Sequence, residues 1–280
     1  MTLGAGQTEL PSADYMNILR EHSHRLQAVK LLPGLRLNEY FCGESFYLST
    51  LAECSAFVEG REACLLKAPL SGSGKGLNWC KGIFTTFISG WCARVAASQG
   101  GVVGEPIYNK VEDFAMEFYA DGRGMYAGND LLSDEKILQK LSAYVPQEEF
   151  IRLRTRLEEE LSALFGGFYH GYLGVDMMIC HFPDEAPVYR IHPCVEINLR
   201  MNMGVVAWLL TDRYLAADAE GVFRIDYYPL AGQALEEHRQ MSASFPLSVE
   251  NNRVCAGYLP LVPVTPQSRY RAFLLLTLPQ

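Results

Sequence analysis

Apolar residues near the start of the chain recur at helical spacing. Between Tyr15 and Leu31, Met16, Leu19, Leu26 and Val29 share one side and a basic side forms around His24 and Arg25, which predicts a helix behind a loose tail over 1–14. A second helix is expected from Ser49 or Thr50, because Glu53 stands three residues beyond Thr50 in capping-box spacing. The short apolar run Leu65-Leu66-Lys67 then reads as a strand leading into the glycine-dense stretch SGSGKG, which begins at Ser71. From Gly82 to Gln99 a mixed apolar stretch predicts a helix, broken by Gly100-Gly101. Val102 to Tyr108 follows; Pro106 disfavours a central strand position, so this piece is read as a strand ending in a connector between lobes.

Phe114 to Ala120, followed by Asp121-Gly122, reads as a strand entering a hairpin. Phe150, Leu153, Leu157, Leu161 and Leu164 draw one apolar stripe with Glu158 to Glu160 on the water side, the pattern of a surface helix. Gly174 to His181 and Val188 to Leu199 read as two strands joined through the turn-rich 183–187 segment. A helix is expected after Gly204, through Trp208 to Tyr214. The tail from Val254 to Leu278 offers two more strands, expected as an antiparallel pair at a sheet edge. This mixture predicts an α+β protein.

Composition narrows the function. The chain has 280 residues and a formal net charge of −8, which argues against a nucleic-acid surface because phosphate backbones are met by basic patches. No run approaches the roughly twenty apolar residues that cross a bilayer, and MTLGAGQTELPSAD lacks the basic and apolar regions of a signal peptide, so a cytoplasmic location without membrane association is expected. The eight cysteines contain no Cys-x-x-Cys and several lie in apolar runs, where reduced thiols act as small hydrophobes.

Two segments carry chemistry. A glycine loop flanked by lysines can wrap a polyphosphate, but Lys75 is followed by Gly76 and Pro69 occupies the leading-glycine position, so this is not a Walker A loop. On the hairpin, side chains alternate faces; if Asp176 lies opposite Glu196, then Asp176, Glu196 and Asn198 project together as an oxygen-only set suited to Mg²⁺ shared with substrate phosphates. Arg200 has the same parity and can meet developing negative charge. The same register puts Cys180, His192 and Cys194 on that face, a grouping with zinc as an alternative metal. His22 and His24, beside Arg25, read as surface polarity or as a phosphate-facing patch.

A lysine on a strand, a glycine loop, a connector with an acidic residue, an acidic strand position and Glu-x-Asn, in this order, resemble the ATP-grasp superfamily over roughly Arg25 to Arg200. HPCVEINLRMNMG, from His192, is especially similar to an uncharacterised bacterial branch of it. The resemblance implies two α+β lobes with antiparallel sheets enclosing a nucleotide cleft: a tail and helix over 1–45, a small lobe over 46–108, and a larger lobe with the metal site over 109–280. It implies ATP and Mg²⁺ as cofactors, with Mn²⁺ as a substitute. Lys67 would contact the α-phosphate region. Lys75, with the backbone N–H groups of Ser73, Gly74 and Gly76 in the loop that Ser71 and Gly72 begin, would close over the β- and γ-phosphates. Arg25 would be a first cationic phosphate contact, and Glu105, Pro106, Ile107 and Tyr108 the adenine-facing hinge. Asp113 fits a ribose-binding acid better than Glu112 or Glu117. Asp176, Glu196 and Asn198 would hold the metal, and Arg200 a carboxylate or the transferring group.

The activity implied is ligation of a small-molecule carboxylate to an amine or thiol through an acyl phosphate; a non-catalytic ATP-binding subunit and a kinase on the same scaffold are the alternatives. Relatives carry a full α/β lobe before the position of Arg25, here largely absent, so the resemblance implies a homo-oligomer or a partner subunit that supplies part of the substrate site. Asp176 and Glu196 also stand further apart in sequence than usual, which requires a longer hairpin loop.

Overall fold

The apolar stripes read from the sequence close on two cores within the first part of the chain. The structure is a computed structural model that describes residues 11–72, 75–126 and 135–277. It divides into two compact units, Met1–Asn202 and Met203–Gln280, a division that falls inside the 109–280 segment read as one lobe.

The first unit opens with α1 (Ala13–His22) and α2 (Leu26–Leu35). The sequence predicts one helix here; the chain instead breaks at Ser23 to Arg25. Ser23 caps α1, and the Arg25 backbone N–H donates to the carbonyl of Pro69 at 3.1 Å. The small lobe follows: β1 (Phe46–Leu48), α3 (Leu51–Glu59), β2 (Cys64–Lys67), β3 (Leu77–Cys80), α4 (Thr86–Gln99) and β4 (Val102–Pro106). Thr50 and Glu53 form the expected capping box at the start of α3, and Gly100, with φ of 85°, stops α4 in the left-handed region that glycine enters without a Cβ penalty.

The small-lobe strands pair antiparallel in the order β1-β4-β2-β3. β4 is therefore an inner strand, contrary to the expectation drawn from Pro106. The proline is accommodated because it is the last residue of the strand, where a missing N–H interrupts little of the ladder. Alternation splits the sheet into two faces. Cys64, Leu66 and Val102 turn to a core with Cys54, Phe57 and Val58 of α3 and Ile88, Cys92 and Val95 of α4, while Leu65, Lys67 and Glu105 take the other face.

The larger lobe contains β5 (Lys110–Asp121), β6 (Met125–Tyr126), α5 (Glu135–Ser142), α6 (Gln147–Phe165), β7 (His170–His181) and β8 (Tyr189–Asn198). Its sheet is antiparallel in the order β6-β5-β7-β8. Leu153, Leu157 and Leu161 of α6 are completely buried against Met116, Phe118, Leu173 and Val175 of the sheet, and α2 adds Leu31, Leu32 and Leu35. Each such leucine contributes about 2 kcal/mol of transfer free energy.

The second unit holds α7 (Met203–Tyr214), β9 (Glu220–Tyr227), α8 (Gln233–Ser244), β10 (Ser248–Glu250), β11 (Arg253–Pro260) and β12 (Tyr270–Thr277). Its sheet runs β10-β11-β12-β9. The two tail strands expected at an edge are thus the inner pair, because β9 and β10 flank them. Among the described residues no helix is long and apolar enough to cross a membrane.

Candidate active site

The uncovered face of the larger sheet is a lattice of rows set by strand register. Asp113 lies opposite Met178, and Met178 opposite His192; Ala115 lies opposite Asp176, and Asp176 opposite Glu196. In the next row Glu117 faces Gly174, and Gly174 faces Asn198; beyond that Tyr119 faces Tyr172. The pairing of Asp176 with Glu196 is the one the sequence required, so Asp176, Glu196 and Asn198 do share one face. Between Asp176 and Met178 the register shifts, and Pro193 to Val195 of β8 oppose Met177 alone.

A cavity of about 470 Å³ lies between this face and the free face of the small-lobe sheet. Lys67 and Glu105 line it from one side, Asp113, Asp176 and Met178 from the other, and Pro106, Ile107 and Tyr108 form the connecting wall. Lys67 and Glu105 meet as an ion pair, Nζ to Oε2 at 2.5 Å, with each side chain only 7% exposed. Ser45 donates to the other Glu105 oxygen at 3.3 Å. Trp79, opposite Leu65 in register, lines the same cavity and is 69% exposed. The acidic hinge residue is thus the partner of the strand lysine, a contact that the sequence pattern did not contain.

The glycine loop is tied to the β7–β8 hairpin through Arg25. The buried guanidinium donates from Nη1 to the Ala68 carbonyl at 2.5 Å and to Ser71 Oγ at 2.6 Å, and from Nη2 to Glu196 Oε2 at 2.9 Å. Gly76 has φ of 68°, and its carbonyl accepts from Ala68 N–H at 2.8 Å; the Lys75 N–H donates to the Gly72 carbonyl at 3.1 Å, with the Lys75 side chain exposed. Ser73 and Gly74 lie outside the described residues.

Asn198 donates from Nδ2 to Asp176 Oδ2 at 3.0 Å, and Arg200 donates from Nη2 to Asn198 Oδ1 at 2.9 Å. Arg200 is otherwise exposed, just past the end of β8. Burial pushes the Asp176 carboxyl above its usual range; the Asn198 hydrogen bond opposes this and the facing Glu196 carboxylate adds to it. Asp113 is exposed and paired with Lys110 at 2.5 Å, at the cavity's edge.

Glu117, which with Glu112 stands behind Asp113 as the expected ribose-binding acid, is the one of the three whose carboxyl the structure perturbs. It is 5% exposed, and both of its oxygens accept from Asn202 Nδ2, at 2.9 and 2.8 Å. Burial pushes its carboxyl up to about 7, against the Asn202 hydrogen bond, with the Asp176 charge adding to the rise. The available signal was parity: Glu117 follows Asp113 and Ala115 on the same face of β5.

The proposed grouping of Cys180, His192 and Cys194 is not assembled. Cys194 sits in the main core with the register shift beside it, and Cys180 packs against Cys42, whose thiol that contact and burial push up. Among the described residues no three His, Cys, Asp or Glu side chains are placed to hold a metal ion by themselves. Asp176 and Glu196 bring two carboxylates, and Asn198 one amide, to the same face. His192 is completely buried beside Gly43 and edge-on to Tyr108, with ring centroids 5.4 Å apart. Burial, followed by the charge of Lys67, holds its pKa down to about 4. His22 packs on Phe165 and Phe168, and His24 Nε2 bonds the Gln99 carbonyl at 3.1 Å, so both are engaged within the fold.

No protein-family model and no curated protein match the chain. Solved structures do. A carboxyaminoimidazole ribonucleotide synthase from Aspergillus clavatus, complexed with ATP, superposes with a TM-score of 0.50 at 12% identity, over 93% of this chain and 70% of that one. An N5-carboxyaminoimidazole ribonucleotide synthetase with ADP gives 0.49 at 12% identity, over 93% and 68%. An L-amino acid ligase from Bacillus licheniformis gives 0.45 at 14% identity, over 95% and 69%. At such identities the likeness is one of fold.

Proposed function

From the ATP-grasp fold that this chain carries, we infer that it is an ATP- and Mg²⁺-dependent ligase that joins a small-molecule carboxylate to an amine or another nucleophile. The observation that carries this reading is the single cavity shared by Lys67, the 105–108 wall and Asp176, with Glu196 beside Asp176 in register. The residues fit the groups. Lys67 at a largely apolar cavity suits a nucleotide, and two facing carboxylates with an amide oxygen suit a hard divalent cation.

In this reading Glu105 to Tyr108 bound the base, Asp113 meets the ribose, and Lys67, Arg25 and Lys75 with the 71–76 loop bind the phosphates. Asp176, Glu196 and Asn198 hold Mg²⁺, or Mn²⁺ in its place, which supplies neutralisation of phosphate charge. Arg200 orients the substrate carboxylate. One carboxylate oxygen attacks the γ-phosphorus as ADP leaves, giving an acyl phosphate. The amine nitrogen then attacks the acyl carbon, phosphate departs, and the amine loses a proton. The protein's part is positioning and electrostatic stabilisation, with Tyr108 and the apolar wall excluding water. A second copy or another subunit completing the substrate side belongs to the proposal; specific activity unchanged on dilution and in the absence of other proteins counts against it.

The test is ADP release with Mg-ATP and pooled carboxylates and amines, comparing wild type with Lys67→Ala and Asp176→Asn. Release lost in both variants supports the assignment. Absence of nucleotide binding to the wild type defeats it.

A further inference from the structure

Glu117 stands apart from the other buried acidic and basic side chains. Arg25 is paired with Glu196, Lys67 with Glu105, and Arg271 with Glu237 and Asp226, whereas the hydrogen bonds to Glu117 come from one neutral amide. Arg200, whose field reaches Glu117, gives its Nη2 to Asn198. A buried carboxylate without a cation in contact is costly, and a carboxylate accepts about four hydrogen bonds while this one receives a single nitrogen's donation.

The missing side chain at Gly174 makes room for the Glu117–Asn202 pair itself. The residue opposite is Gly174, and a Cβ there would lie 2.1 Å from Asn202 Nδ2 and 2.5 Å from Glu117 Oε2. Along the site face, Glu117 is one row beyond Asp176, about 7 Å further from the cavity wall by the rise of a strand. One row further, Tyr119 and Tyr172 form an edge-to-face pair at 5.1 Å, and Tyr119 is 40% exposed. A carboxylate beside one exposed and one half-buried aromatic ring is the chemistry that binds an organic cation.

We propose that Glu117, with Tyr119 and Tyr172 beside it, recognises the nitrogen of the acceptor substrate, an alkylammonium compound with an apolar or aromatic body, and takes one proton from it, so that the freed amine lone pair attacks the acyl carbon. The Asn202 amide stands in for that nitrogen in the present structure and gives way to it. This inference rests on the ligase reading above and names the class of its nucleophile.

The test is equilibrium binding of 2-phenylethylammonium and its uncharged isostere 2-phenylethanol to the full chain, with Mg²⁺ and a non-hydrolysable ATP analogue present. The wild type is expected to prefer the ammonium by about tenfold or more; Glu117→Gln should abolish that preference while leaving affinity for the ATP analogue unchanged. Tyr119→Leu, at an exposed position that folding does not require, should weaken the ammonium about fivefold and the alcohol less. Equal binding of the two probes to the wild type, no binding of the ammonium, or an unchanged preference in Glu117→Gln overturns the proposal while intact binding of the ATP analogue leaves the ligase reading standing. Loss of analogue binding by the wild type overturns both.

Discussion

Arg25 and Glu196 are 171 residues apart in sequence and joined at 2.9 Å, and the same guanidinium holds Ser71 and the Ala68 carbonyl. One side chain thus ties the start of the glycine loop to the hairpin that presents Asp176 and Asn198. Removing it leaves the Glu196 carboxylate without its cation, while the Ala68 carbonyl keeps only the Ser71 hydroxyl at 3.1 Å. Arg25→Ala is expected to lower the unfolding free energy by about 2–4 kcal/mol, read as a shift in the urea midpoint. Arg200→Ala, at an exposed position, should cost well under about 1 kcal/mol. Equal losses in the two variants would contradict the bridging role.

Glu117 gives stability a pH dependence of defined sign. Its folded-state carboxyl is raised from 4.5 to about 7, so the folded protein holds the proton more tightly than the unfolded chain does. The contribution is complete below pH 4.5 and fades as pH rises through 7, by about 3 kcal/mol at most. Urea melts between pH 5 and pH 8 are expected to show this decline in the wild type and a flatter profile in Glu117→Gln; parallel profiles would refute it.

His192 acts in the opposite direction. Its folded value near 4 lies below the usual 6.5, so the unfolded chain takes up the proton first as pH falls, and stability drops between 6.5 and 4. The ring's neighbour allows a second measurement. Gly43 has φ of 113°, and a Cβ there would sit 2.8 Å from the imidazole. Gly43→Ala should therefore destabilise by about 2 kcal/mol or more, since it adds backbone strain to overpacking. A Gly43→Ala melting temperature matching the wild type would show that the ring has room to move.

Trp79 lines the cavity with its indole mostly in water. Nucleotide binding should change the intrinsic fluorescence, and Trp79→Phe should remove most of that change while ADP release persists. Retention of the full signal in Trp79→Phe would place the nucleotide elsewhere.

Much of this site was legible in the sequence because it is built on period-two alternation. Asp176, Glu196 and Asn198 needed only the hairpin and one register, and the helix stripe of α6 fixed which face was buried. Reading failed where tertiary contact overrides local pattern. The break between α1 and α2 is set by the buried Arg25 side chain and by Pro69, far along the chain. Glu105 pairs with Lys67 through strand neighbours that no linear motif records. β3 and β10 were missed because they are too short to show periodicity, and α8 because its apolar stripe is weak. The acidic role of Glu117 depends on Asn202 and Gly174 arriving from two other segments.

The irregularity at Pro193 to Val195 adds a net two residues to one strand of the hairpin. An even insertion keeps the inside-outside phase, so Glu196 and His192 remain on the same side despite the slip. The hairpin therefore behaves as two ladders in series. Its outer half, from Met178 and His192 to the tip, keeps its phase only through that even insertion: loss of a single residue from 193–195 would turn Ile191 out of the core and His192 into it.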